Sequence, residues 1–204
     1  MNTKEESTIA DTATWEREID DLEVTREVPH IEYKVGDNVV YPHHGAGRVL
    51  KREVRERFGA KREYLTIQIL HNDMTVMVPA ENAGKAGLRR VIGEDDVARV
   101  LTVLRDEVSQ MPKNWNRRFK HNRDKIKTGD VFELAEVVRN LAIREADKGL
   151  STGEKQMYTR AKKILASELM YALDMEEEGA EEHLDGIIED AHLNRAGSAE
   201  PVAK

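Results

Sequence analysis

Glu63-Tyr64-Leu65-Thr66-Ile67-Gln68-Ile69-Leu70 alternates strictly, with Leu65, Ile67 and Ile69 on one face and Tyr64, Thr66, Gln68 and Leu70 on the other. Period two over eight residues predicts a strand with one apolar face. Upstream, Arg48–Val54 has the same character, and Arg55-Glu56-Arg57-Phe58-Gly59-Ala60-Lys61 reads as the hairpin tip between the two. Further upstream, Val35–Pro42 alternates around the Gly36-Asp37 turn and stops at proline. His43-His44-Gly45-Ala46-Gly47 makes a tight connection, its glycines free to take positive φ. Downstream, His71-Asn72-Asp73 is a short turn and Met74–Pro79 a further strand closed by proline. Short strands at this spacing predict a small, strongly bent antiparallel barrel.

After Gly93 the period changes to 3.6. Glu94-Asp95-Asp96 places acid at a helix start, where the macrodipole favours it, and Val97, Val100, Leu101 and Leu104 follow as an apolar stripe. Asp130 and Glu133 have capping-box spacing ahead of Val131, Leu134, Val137, Val138 and Leu141. That helix is expected to close at Gly149. Ser151 to Glu154 has the same spacing before Met157, Ala161, Ile164, Leu165, Leu169 and Leu173. The expected fold class is α+β, a small antiparallel β-barrel followed by an all-α helical bundle. The expected division is an acidic, largely disordered arm over 1–31, a β module over 32–93, a helical module with an acidic last helix over 94–193, and a disordered tail over 194–204.

Between the first two capped helices lies the most basic stretch, Pro112-Lys113-Asn114-Trp115-Asn116-Arg117-Arg118-Phe119-Lys120-His121-Asn122-Arg123-Asp124-Lys125-Ile126-Lys127. Asn114 reads as an N-cap. At 100° per residue, Arg117, Lys120, Arg123 and Lys127 share one side, Arg118 and Lys125 lie on the opposite flank, and Trp115, Phe119 and Ile126 run between them. Two basic rails around an aromatic suit phosphates on either side of a groove. The same pattern also suits a core stripe beneath an ordinary charged surface, except that Trp115, in the first turn, can project past the helix end.

The chain has 204 residues and a formal net charge of −7. Residues 1–32 carry −7 and residues 174–204 carry −8, which leaves +8 on the body between them. A basic body with acidic arms fits a polyanion-binding core whose ends discourage non-specific contacts. With no cysteine, thiolate metal sites and disulfides are excluded. No apolar run reaches the ~20 residues needed to span a bilayer, and the start lacks a signal-peptide h-region. His43 and His44 have no third ligand at a recognisable spacing, so no metal and no cofactor is expected. Phosphate-binding loops, metalloprotease motifs and nucleophile elbows are absent from the sequence, so the expected class is a cytoplasmic binding protein and not an enzyme.

Four separated stretches, taken together, resemble the CarD/CdnL family of bacterial transcription regulators, in its actinobacterial form. They are Val39-Val40-Tyr41-Pro42-His43-His44-Gly45-Ala46-Gly47, Val78-Pro79-Ala80-Glu81-Asn82-Ala83, Asn114-Trp115-Asn116-Arg117-Arg118-Phe119-Lys120 and Gly149-Leu150-Ser151-Thr152-Gly153-Glu154-Lys155. The resemblance runs over roughly residues 32–190 in one register. It implies a Tudor-like module on the β-subunit lobe of RNA polymerase, a helical domain on promoter DNA, and stabilisation of the open promoter complex. It implies a monomer associated with the nucleoid through polymerase. By the same resemblance Trp115 is placed in the minor groove at the upstream edge of the bubble. Arg117, Lys120 and Lys155 match positions on the DNA backbone; Arg118 is a neighbouring match and Lys113 lies in the same basic run. Arg55 matches an arginine at the polymerase contact; a second such arginine is replaced here by Met77, which leaves that contact apolar, weaker, or carried by Arg57. The alternative function is a Tudor/SH3-like adaptor that docks a partner other than polymerase.

Overall fold

The computed structural model describes residues 31–42, 44–57, 59–70 and 74–198. The alternating segments form β1 (Asn38–Tyr41), β2 (Gly45–Arg57), β3 (Ala60–Ile69) and β4 (Thr75–Pro79), and a two-residue β5 (Arg89–Arg90) follows. All pair antiparallel in one sheet of order β4-β3-β2-β1-β5. Gly47 sets how closely β2 and β3 approach: a Cβ there would lie 2.3 Å from the Gln68 carbonyl oxygen. A bulge at Leu50 shifts the β2–β3 register between Val49 and Lys51.

The β2–β3 hairpin is longer than expected. β2 continues to Arg57 and β3 starts at Ala60, because Glu56 faces Lys61 across the ladder and Gly59 takes φ +74° in the turn. Phe58 lies outside the described residues, as do His43 and 71–73. Leu65, Ile67 and Ile69 are buried with Tyr33, Val39, Val49, Val78, Ala83 and Leu88, as the alternation predicts. The Tyr33 hydroxyl donates to the Leu88 carbonyl at 2.6 Å.

Five helices follow among the described residues: α1 (Glu94–Arg105), α2 (Trp115–Lys127), α3 (Val131–Lys148), α4 (Thr152–Ala172) and α5 (Glu177–Ser198). Their caps follow the local chemistry. The Asn114 side chain accepts from the Arg117 N–H, and Ser151 with Glu154 closes a full capping box. Gly149 ends α3 at φ +74°. The Asp130 box stays half-open: Asp130 accepts from the Phe132 and Glu133 N–H groups, but the Glu133 carboxylate takes the Thr128 hydroxyl instead of the Asp130 N–H. The second core joins Val97, Val100 and Leu104 to Leu134, Val138 and Leu141 and to Ile164, Leu165 and Leu169. Each such side chain contributes roughly 1.5–3 kcal/mol on burial.

Order expected to end at residue 193 extends to Ser198. Ala180, Leu184, Ile187 and Ala191 form a buried 4-3-4 stripe on α5, so its carboxylates face solvent. Arg195 then donates to the Asp106 carbonyl, drawing the last turns toward the end of α1. The N-terminal arm to residue 30 and the tail from 199 lie outside the described residues.

The two cores are tied together near β5. Ala46 N–H donates to Ser167 Oγ at 2.9 Å. The Arg89 guanidinium forks onto Glu168 at 2.5 and 2.8 Å. Glu168 is fully buried and also accepts the Ile92 N–H at 3.2 Å, while Arg89 Nε donates to the Gly129 carbonyl at 3.0 Å. The orientation of the sheet relative to α4 is therefore held by a bidentate ion pair between a half-buried guanidinium and a fully buried carboxylate.

Candidate nucleic-acid interface

Helix α2 has no acid in its first turn and carries Arg117 there instead, against the macrodipole. A cation at that end does not help the helix, so its presence calls for another reason. Arg117, Lys120, Arg123 and Lys127 are all exposed, so the rail predicted from the spacing stands in solvent. Lys113 is exposed just before the N-cap.

Trp115 stands at the head of this rail and is 44% exposed. Its ring stacks on Phe119, centroids 5.3 Å apart and planes 27° off parallel. Phe119 in turn packs on the helical core, as does Ile126. The indole Nε1 donates to Ser151 Oγ at 2.8 Å. Gly153 leaves room for both rings, since a Cβ there would sit 3.4 Å from Phe119 and 3.7 Å from Trp115. The core-stripe reading thus holds for Phe119 and Ile126, and the projecting reading for Trp115.

The opposite flank is corrected. Arg118 does not face solvent: it is 4% exposed, and its Nε donates to Glu154 Oε1 at 2.7 Å. Its Nη1 donates to the Lys113 and Pro112 carbonyls at 2.9 and 3.3 Å. A guanidinium so enclosed cannot also hold a phosphate. Lys125 is pinned by Glu136 at 2.7 Å. One exposed rail remains, not two.

Lys155, on the first turn of α4, is exposed but pairs with Glu145 at 2.9 Å. The Lys155 hydrogen bond holds the Glu145 carboxyl below the ordinary glutamate range. A phosphate at Lys155 must displace that carboxylate, which weakens its contribution relative to Arg117 and Lys120. If this rail holds a phosphate backbone, Lys120→Ala should weaken DNA binding evenly across sequences and lower its salt slope by about one. A slope unchanged between 50 and 200 mM salt would remove Lys120 from the interface.

On the sheet, Arg55 pairs across with Arg62, and Met77 with Thr66. Residues 62 and 66 have the same parity on β3, so Arg55 and Met77 share one face. Arg55 is held by Glu53 of its own strand at 2.6 Å. The side chain of Arg57 lies outside the described residues. Arg52, on the opposite face, binds Glu32 and Glu63 at 2.7 and 2.6 Å.

Residues 33–92 match the CarD-like/TRCF RID domain, and residues 99–185 match the CarD C-terminal domain. Over 137 residues the chain is 36% identical to a Bacillus subtilis (strain 168) protein named "Putative transcription factor YdeB", covering 67% of this chain and 90% of that one. The chain belongs to the CarD family. The solution NMR structure of the 72-residue N-terminal domain of Myxococcus xanthus CarD shares 36% identity with it, over 29% of this chain and 79% of that chain, at a TM-score of 0.26. This CarD-family protein is a transcription regulator, and its two matched regions correspond to the sheet and the helical bundle.

Two groups of this CarD-family site escaped the sequence reading. Ser151 and Glu154 were legible as a helix cap, but not as partners of Trp115 and Arg118, which lie 36 residues earlier. Among the described residues no group of three or more His, Cys, Asp or Glu side chains is placed to hold a metal ion, and no helix is long and apolar enough to cross a membrane.

Proposed function

We propose that this regulator is a binding protein without catalytic chemistry. In this reading it docks on the β-subunit lobe of RNA polymerase through the Arg55–Met77 face and stabilises the open promoter complex from the upstream edge of the bubble. The observation that carries the reading is the half-exposed Trp115 ring at the head of a solvent-facing cationic rail. The family resemblance adds the polymerase and the minor groove.

The division of labour follows from electrostatics. Lys113, Arg117, Lys120, Lys155 and their neighbours neutralise about four to six phosphates, which alone gives weak and steeply salt-dependent binding. With a net charge of −7, the free protein gains little from long-range attraction to DNA. Docked on polymerase, the same rail acts at high effective concentration and needs no base readout. Inserting a ring into intact duplex costs a few kcal/mol of unstacking, but at a bubble edge melting has already met that cost. A wedge that fits only the open state shifts the population toward it, tenfold for each 1.4 kcal/mol of preference.

The test is a promoter footprint and open-complex lifetime with polymerase, with and without the full chain. A longer lifetime and new protection at the upstream bubble edge support the reading; an unchanged lifetime overturns it. Arg55→Glu sets a second carboxylate beside Glu53 on the docking face, so affinity for the β lobe should fall by about tenfold or more while the bundle melts as before. Unchanged lobe affinity removes Arg55 from the contact. Capture of a different partner by the sheet, with polymerase ignored, favours the adaptor function.

A further inference from the structure

Trp115 is not a ring left loose on a surface. Its Nε1 donates to Ser151 Oγ at 2.8 Å, and Ser151 Oγ donates to Glu154 Oε2 at 2.8 Å. Glu154 Oε1 receives Arg118 Nε at 2.7 Å, and Arg118 Nη1 returns to the Lys113 carbonyl, two residues before the tryptophan. The circuit closes on the turn that bears the ring. Phe119 supports one face, and Gly153 supplies the space in which both rings rest.

We infer that Ser151, Gly153, Glu154 and Arg118 form a socket that holds Trp115 in its wedging orientation, Ser151 and Gly153 being positioning residues for the ring. The inference rests on the wedge reading above and extends it to how the wedge is presented. A ring fixed in advance avoids the rotamer freedom that a mobile ring would surrender on binding. The socket has a second consequence. The only polar atom of the indole is already engaged by Ser151, so the ring offers DNA carbon edge and face alone. Stacking of that kind tolerates any base, which accounts for a wedge without hydrogen-bond readout.

The experiment uses the full chain in a Trp15→Phe background, so that the one remaining indole N–H signal in a 1H–15N spectrum belongs to Trp115. Ser151→Gly keeps most of the helix cap, since glycine is nearly as good there as serine, and removes the hydroxyl. The indole N–H is expected to move upfield and exchange faster, with the open-complex lifetime falling roughly threefold to tenfold, the yield of one lost hydrogen bond. Ser151→Thr should restore both readouts. Gly153→Val leaves the Ser151 hydroxyl in place but pushes a branched side chain into the two rings, and should shorten the lifetime to a similar extent. An indole signal that does not move in Ser151→Gly, or a lifetime that holds in both Ser151→Gly and Gly153→Val, overturns the socket. Trp115→Ala separates the two levels: if it leaves the lifetime unchanged, the wedge itself fails, whereas a shortened lifetime there with none in the socket variants sinks only the socket.

Discussion

Glu154→Leu will lower the folding stability by about 3–5 kcal/mol, the usual cost of stranding one partner of a buried ion pair. Its partner Arg118 has a side chain only 5% exposed, and no other carboxylate is paired with it among the described residues. Two carbonyls, Pro112 and Lys113, would remain as acceptors for a guanidinium with full charge. The Ser151 cap would also lose its reciprocal hydrogen bonds. Urea unfolding at neutral pH checks the value, and a cost under about 1 kcal/mol would mean that water reaches the pair. The double variant Arg118→Met/Glu154→Leu should recover much of the loss, because apolar groups of similar volume often replace a buried pair at little cost.

The same pair gives a pH dependence of defined sign. Burial pushes the Glu154 carboxyl up, but hydrogen bonds from Arg118 and Ser151 outweigh it and hold the group below the ordinary glutamate range. A depressed folded-state value means the stabilisation is complete above the unfolded value, about 4.3, and is lost as pH falls through the folded value. The difference between wild type and Glu154→Leu should therefore shrink as pH falls below the unfolded value of about 4.3. A difference that grows on acidification would reverse the assignment.

Trp115→Ala will shorten the open-complex lifetime by roughly fivefold to a hundredfold, since stacking of an aromatic on a base is worth about 1–3 kcal/mol. The folded protein should lose far less. The ring is already 44% exposed, and what it forfeits is one face of Phe119 and one hydrogen bond. A cost near 1 kcal/mol corresponds to about 2–4 °C in melting temperature for a chain of this size. Lifetime and melting temperature measured on the same preparation separate the outcomes. A fall of 10 °C or more without a selective effect on the promoter complex would return Trp115 to the core.

Local rules carried the sequence reading a long way. Leu65, Ile67 and Ile69 are interior because a strand alternates, and Asn114 and Ser151 cap because their side chains reach a backbone N–H three residues on. Where such rules met a competing partner they gave way. Glu133 has the spacing to complete a box with Asp130, yet the Thr128 hydroxyl takes its carboxylate and also accepts the Asp130 N–H. Terminal composition predicts a disordered tail from residue 194, but the helix, with its four-residue apolar stripe and Arg195, runs to Ser198.

Arg117 and Arg118 show the division most sharply. The sequence by itself determined the strands, the helices, most of their caps, the central body that carries the net positive charge, and the family resemblance of four separated motifs. All of these depend on period, composition or hydrogen bonds within about four residues. Only the tertiary structure decided that of two adjacent arginines one stands in solvent and the other is buried on Glu154, 36 residues away, or that Arg89 locks the sheet to Glu168, 79 residues away. Both arginines are the same residue on the same helix. What separates them is whether a carboxylate on another element waits inside to offset the cost of leaving water, and that partner comes into reach only when the helices pack.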